Sequence, residues 1–121
     1  MEYLISNGAN INAKDKYELS GLHHAAMRGN VNAIKKLLKV DGIEKEPRDV
    51  AASTPLHLAA TYNHIEVAKV LLEEGANPRC QDNDQRTPLH EACLEGNLEI
   101  VVLLLKEGTK RFKEGYTRSV I

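Results

Sequence analysis

Apolar positions recur along the chain in short clusters at helical spacing, separated by polar stretches rich in glycine, asparagine and aspartate. In one cluster Leu98, Val101, Val102 and Leu105 fall on a single helix face. That cluster belongs to a set. The pairs Leu37-Leu38, Leu71-Leu72 and Leu104-Leu105 step by 34 and 33 residues, and so do Leu22, Leu56 and Leu89. Gly8, Gly42, Gly75 and Gly108 step by 34, 33 and 33, and Asp15, Asp49 and Asp82 each follow one of these glycines by seven. Four markers in one register define an internal repeat, the signature of a stacked architecture. The additional residue of the first step lies between Leu38 and Gly42, where a loop absorbs it.

Each unit predicts two helices and a turn. Thr54-Pro55 and Thr87-Pro88 open a first helix: threonine is a good N-cap, and proline suits the first helical position, where its missing N–H has no partner to lose. Ser20-Gly21 stands at the same place in the first unit and predicts a weaker start. The first helices stop near Gly29-Asn30, Asn63-His64 and Gly96-Asn97. Second helices are expected over 32–40, 65–74 and 98–107, each closed by the repeat glycine. No segment alternates well enough to predict a strand.

The strings Thr-Pro-Leu-His-Leu-Ala-Ala at 54–60, Thr-Pro-Leu-His-Glu-Ala-Cys at 87–93 and Leu-Leu-Glu-Glu-Gly-Ala-Asn at 71–77 resemble the ankyrin repeat, and Ser20 to Ala26 is a degenerate copy of the first. The resemblance covers roughly residues 3–109. It implies an all-α solenoid of helix-turn-helix units with short finger loops: about three full repeats plus partial ends. The expected division is a partial repeat over 1–14, repeats over 15–48, 49–81 and 82–114, and a tail or the start of another repeat over 115–121. One departure concerns the finger tips. Family members usually carry glycine three residues after the repeat aspartate, where this chain has Glu18, Ala52 and Gln85. The tips are therefore expected either to hold a strained positive φ, costing about 1 kcal/mol each, or to adopt another turn.

Composition narrows the function. Sixteen basic residues against 17 acidic ones leave a formal charge of −1, so nothing favours capture of nucleic acid. The longest apolar run, Ile100 to Leu105, is far too short to span a bilayer. Two cysteines, Cys80 and Cys93, do not form a disulfide framework, which points to the cytoplasm or the nucleus. His23, His57 and His90 recur once per unit and read as structural, and His90-Glu91 lacks the second histidine of a zinc-protease helix, Leu94 standing there. No catalytic, cofactor or metal site is expected, so the chain reads as a binding module and not an enzyme.

In the ankyrin family the residues flanking the repeat aspartate, and the two after the Ala pair, face partners. The resemblance thus implies a protein partner, of unknown identity, held by Lys14, Lys16, Tyr17, Met27 and Arg28 in the first unit. Arg48, Thr61 and Tyr62 follow in the second, and Asn83, Asp84, Arg86, Leu94 and Glu95 in the third. The strings Lys14 to Ser20 and His24 to Asn30 also resemble the cytoplasmic arrays of transient receptor potential ankyrin-type channels, which would make the chain a fragment without its pore. Two further expectations concern the ends. Residues 3–12 read as the tail of a second helix, with residues 1–15 frayed. Gly108 to Gly115 reads as another finger, leading into a decayed repeat start at Tyr116 to Ser119. Both ends thus look cut from a longer solenoid, or built to pair with another chain.

Overall fold

In the computed structural model the described residues are 10–115, with side chains described through residue 107. They contain α1 (Gly21–Arg28), α2 (Val31–Leu38), α3 (Pro55–Thr61), α4 (Ile65–Glu73), α5 (Pro88–Glu95) and α6 (Leu98–Gly115), and no strand. The first helices α1, α3 and α5 stack side by side, the second helices α2, α4 and α6 form a parallel layer behind them, and each pair packs on itself. The fold is the expected all-α array of helix pairs.

Each first helix starts on the same device. The hydroxyls of Ser20, Thr54 and Thr87 accept from the N–H of His23, His57 and His90, whose imidazoles accept in turn from the cap N–H. This is a capping box in which histidine replaces the usual glutamate. Ser20 makes it as completely as the two threonines, so the first helix begins like the others despite lacking proline. Left-handed Gly29 and Gly96 close α1 and α5, and the N–H of Asn30 and Asn97 reach Ala25 O and Ala92 O at 2.9 Å. Asn63 does the same for α3 at φ 63°.

Small residues let the two layers approach. Ala26, Ala59, Ala60, Ala68 and Ala92 are fully buried beside Leu22, Ile34, Leu56, Val67 and Ile100. Leu71 and Leu72 carbonyls accept from Ala76 and Gly75, so α4 ends at the repeat glycine as expected. α2 does not. It stops at Leu38, Lys39 caps it, and the additional residue lets the chain turn before Gly42.

The C-terminal expectation is overturned. The stretch Gly108 to Gly115, read as a finger, is the continuation of α6. Pro78 follows Gly75 by three residues and Pro47 follows Gly42 by five, so both earlier helices are barred from continuing. No proline follows Gly108, and a lone glycine costs a helix only about 1 kcal/mol. The Lys110-Arg111-Phe112-Lys113 cluster therefore sits on helical backbone. The expectations for residues 3–9 and for Tyr116 to Ser119 lie outside the described residues. From Asn12 onward the chain is tied down: its side chain donates to Gly42 O and accepts from Glu44 N–H at 2.9 and 2.8 Å. Fraying through residue 15 is at odds with these bonds.

Candidate partner-binding surface

Three finger tips project from the first-helix side, and all three are built alike. The Asp15 carboxylate accepts from the N–H of Tyr17 and Leu19, Asp49 from Ala51 and Ser53, and Asp82 from Asp84 and Arg86, at 2.8 to 3.0 Å. Main-chain bonds close each loop, such as Glu18 N–H to Asp15 O at 2.8 Å. The closing residues Glu18, Ala52 and Gln85 all take φ 63°. The finger turn is therefore the glycine-type one even without glycine, held by the aspartate. These amides, the Leu19 N–H foremost, lower the Asp15 pKa below its ordinary value, and His24 adds a 3.0 Å contact.

Successive fingers are fastened to one another. Val50 N–H donates to Tyr17 O at 3.0 Å and Asn83 N–H to Ala51 O at 2.9 Å. Lys14 Nζ reaches Arg48 O at 2.8 Å, and the Arg48 guanidinium reaches Ala52 O and Gln81 O at 3.0 and 2.6 Å. Asn83 Nδ2 donates to Val50 O at 3.2 Å. Three residues expected to meet a partner thus bind neighbouring fingers themselves.

The histidines join first helices to fingers. In His23 and His57, Nδ1 accepts from the cap N–H, so Nε2 carries the proton and donates to Ser53 O or Arg86 O, both at 2.8 Å. Burial pushes both pKa values below the ordinary histidine value, the carbonyl bonds opposing it. His90 makes the same Nδ1 bond to Thr87 N–H at 2.9 Å, yet no finger follows it among the described residues and its ring is exposed. Buried Cys80 sits 3.5 Å from Thr54 Oγ1 with its pKa raised by burial, which suits an inert thiol; Cys93 is exposed. Among the described residues no three metal-ligating side chains converge, and no helix is long and apolar enough to cross a membrane.

The remaining expected residues fall on the fingers and the first helices, several at repeat-equivalent places. Lys16 holds its ammonium 5.2 Å from the centre of the Tyr17 ring. Arg28 ends α1, Tyr62 caps α3 and Glu95 ends α5, equivalent places in successive units, all exposed. Met27 is half-buried with its carbonyl accepting from His64, and Thr61 bonds back to His57 O at 2.9 Å. Asp84, Arg86 and Leu94 are exposed. What motif reading passed over is the fastening by Lys14 and Arg48, although the signal was present: a basic residue just before the repeat aspartate in two units, replaced by Gln81 in the third.

Comparison with known proteins agrees with this build. A stretch of 58 residues is 45% identical to the delta-latroinsectotoxin of Latrodectus tredecimguttatus, covering 47% of this chain and 5% of the toxin. Another of 67 residues is 39% identical to the alpha-latrocrustotoxin of that spider, covering 55% of this chain and 5% of the toxin. A third, also 67 residues, is 37% identical to an ankyrin repeat protein of Acanthamoeba polyphaga mimivirus, covering 55% of this chain and 9% of that protein. The chain thus spans a small part of the relatives it matches. The family model for ankyrin repeats, in three copies, matches residues 1–82 and 22–116. With that coverage, and with capped helix pairs stacked in register behind linked fingers, the chain belongs to the ankyrin repeat family.

Proposed function

We propose that this stack is a docking scaffold that holds a protein partner across its fingers and the ends of its first helices. One observation carries the reading. Tyr17, Val50, Tyr62 and Leu94 expose 56, 63, 51 and 62% of their surface, one or more per unit, on the side where the fingers are fastened in a row. Large side chains left in water on a rigid support are the usual anchors of recognition. Among the described residues the second helices expose large apolar side chains only in the last unit, at Leu98, Val102 and Leu105; the middle one offers charge, with Lys69 and Glu66 paired at 3.5 Å. The unpaired cysteines fit a reducing compartment, cytoplasm or nucleus.

The test is selection of peptides from a displayed random library on the full chain, followed by binding to two variants. Loss with Tyr62→Ala and none with Lys69→Ala is expected; the opposite pattern places the site on the second-helix side. A second reading makes the stack one arm of a longer membrane channel, on the likeness of Lys14 to Asn30 to such arrays. Its test is the flanking coding sequence, where six downstream spans would support it.

A further inference from the structure

Charge along the docking strip is sorted by unit. The row of helix ends reads Arg28, Tyr62, Glu95: a cation, an aromatic ring, an anion. One turn earlier on the same helices the row reads His24, Leu58, Glu91. On the fingers, Lys16, Val50 and Asn83 run from cation through apolar to neutral, and Tyr17, Ala51 and Asp84 end on an acid. Lys14 adds a charge at the first unit that its bond to Arg48 O leaves in place. Three residues run against the order: Glu18 at the first finger tip, Arg48 beside the apolar middle and Arg86 in the third unit. The repeat aspartates Asp15, Asp49 and Asp82 occur once per unit and so create no gradient.

We propose that the strip recognises a bipolar segment of a partner protein: acidic residues at one end against the first unit, an apolar anchor against Tyr62 and Val50, and basic residues at the other end against the third unit. This rests on the docking reading given above. Two helix-to-helix steps of about 8–10 Å separate α1 from α5, a distance spanned by roughly 12 residues of helix. Like charges facing one another disfavour the reversed alignment, so the sorted strip fixes which end of the segment meets which unit. A partner of uniform charge would gain at one end of the strip and lose at the other.

The test uses the full chain and a displayed library of random peptides of about 12 residues, the length estimated above, selected at low salt. Two properties are read: the charge order of the enriched peptides, and their affinity for Arg28→Glu, Glu95→Lys and the protein carrying both changes. Enriched peptides with an acidic half and a basic half around an apolar centre are expected. Each single reversal should weaken them severalfold and the double reversal by roughly tenfold, less as salt rises. Peptides with their charged halves exchanged should prefer the doubly reversed protein. Enriched peptides of uniform charge overturn the proposed polarity, as does binding lost on Tyr62→Ala but unmoved by either reversal; both leave the docking strip standing. Peptides sensitive to Lys69→Ala and not to Tyr62→Ala, or no enrichment at all, overturn the strip and the polarity with it.

Discussion

The imidazole of His64 lies against the bare backbone of Gly29, with Nδ1 2.5 Å from the place a Cβ there would occupy. Its Nε2 meanwhile donates to Met27 O at 2.9 Å, so the ring is held on both sides by the preceding unit. Gly96, which ends α5 as Gly29 ends α1, has a similar φ of 74° and nothing within 4 Å of where its own Cβ would stand. Gly96→Ala should therefore cost about 1 kcal/mol for the left-handed backbone alone. Gly29→Ala should cost about 2–3 kcal/mol, because the ring must also move and its hydrogen bond is lost. Urea denaturation of both variants checks the difference; equal losses would show that His64 yields freely.

The finger tips predict a gain. Ala52 holds φ 63° with a side chain that disfavours it. Ala52→Gly should stabilise the chain by on the order of 0.5–1 kcal/mol, the left-handed penalty outweighing the larger entropy of an unfolded glycine. A thermal melt that rises by a few degrees agrees with this, and one that falls means the aspartate cage removes the strain.

Acid should loosen the stack through its buried histidines. His23 and His57 have folded pKa values below 6.5, chiefly from burial. The unfolded chain therefore binds more protons than the folded one as pH falls past 6.5, and stability declines until the folded values are passed. Well above pH 6.5, where both states are unprotonated, the contribution is fully present. Protonating Nδ1 also removes the acceptor for the cap N–H of Ser20 or Thr54. Denaturation midpoints at pH 7.5 and pH 5 read the effect, which His57→Gln should reduce.

The last unit shows what the stack leaves uncovered. Leu72 is 8% exposed, whereas Leu105 at the same place in α6 is 53% exposed, and Cys93 is exposed where Ala60 is buried. Leu72→Ala should cost about 2–4 kcal/mol and Leu105→Ala under about 1 kcal/mol. At high concentration the isolated chain should self-associate through this face, and Val102→Lys or Leu105→Lys should relieve it in sedimentation. A monomer indifferent to both changes would show that the face is harmless in water.

The repeat period, the helix starts and the three-unit architecture were legible because each rests on residues that recur in register. Thr54-Pro55 and Thr87-Pro88 announce a helix from local chemistry alone. The end of α6 was not legible in that way. Gly108 matches Gly75, but what stops α4 for good is Pro78, a residue outside the matching string. The surface was legible as a set of positions and not as a set of roles. Lys14 and Arg48 look like free cations in the sequence, and only the 2.8 and 2.6 Å contacts to carbonyls of the next finger reveal their structural use. Those contacts join residues 34 and 33 apart, a separation that periodicity suggests but cannot orient.

The fastenings between units share one property: they end on main chain. His23, His57 and His64 reach Ser53 O, Arg86 O and Met27 O; Lys14 and Arg48 reach Arg48 O and Gln81 O; Asn97 reaches Ala60 O. The ion pair of Lys45 with Glu74, 3.7 Å apart and exposed on both sides, is an exception. A carbonyl is present whatever residue bears it, so a mutation at Met27 or Arg86 leaves the bond it receives chemically intact. Apart from close fits such as His64 on Gly29, these bonds let units be duplicated, exchanged or allowed to drift without matched changes at the residues that accept them. The side chains that meet a partner are then free to diversify under selection while the stack beneath them keeps its register.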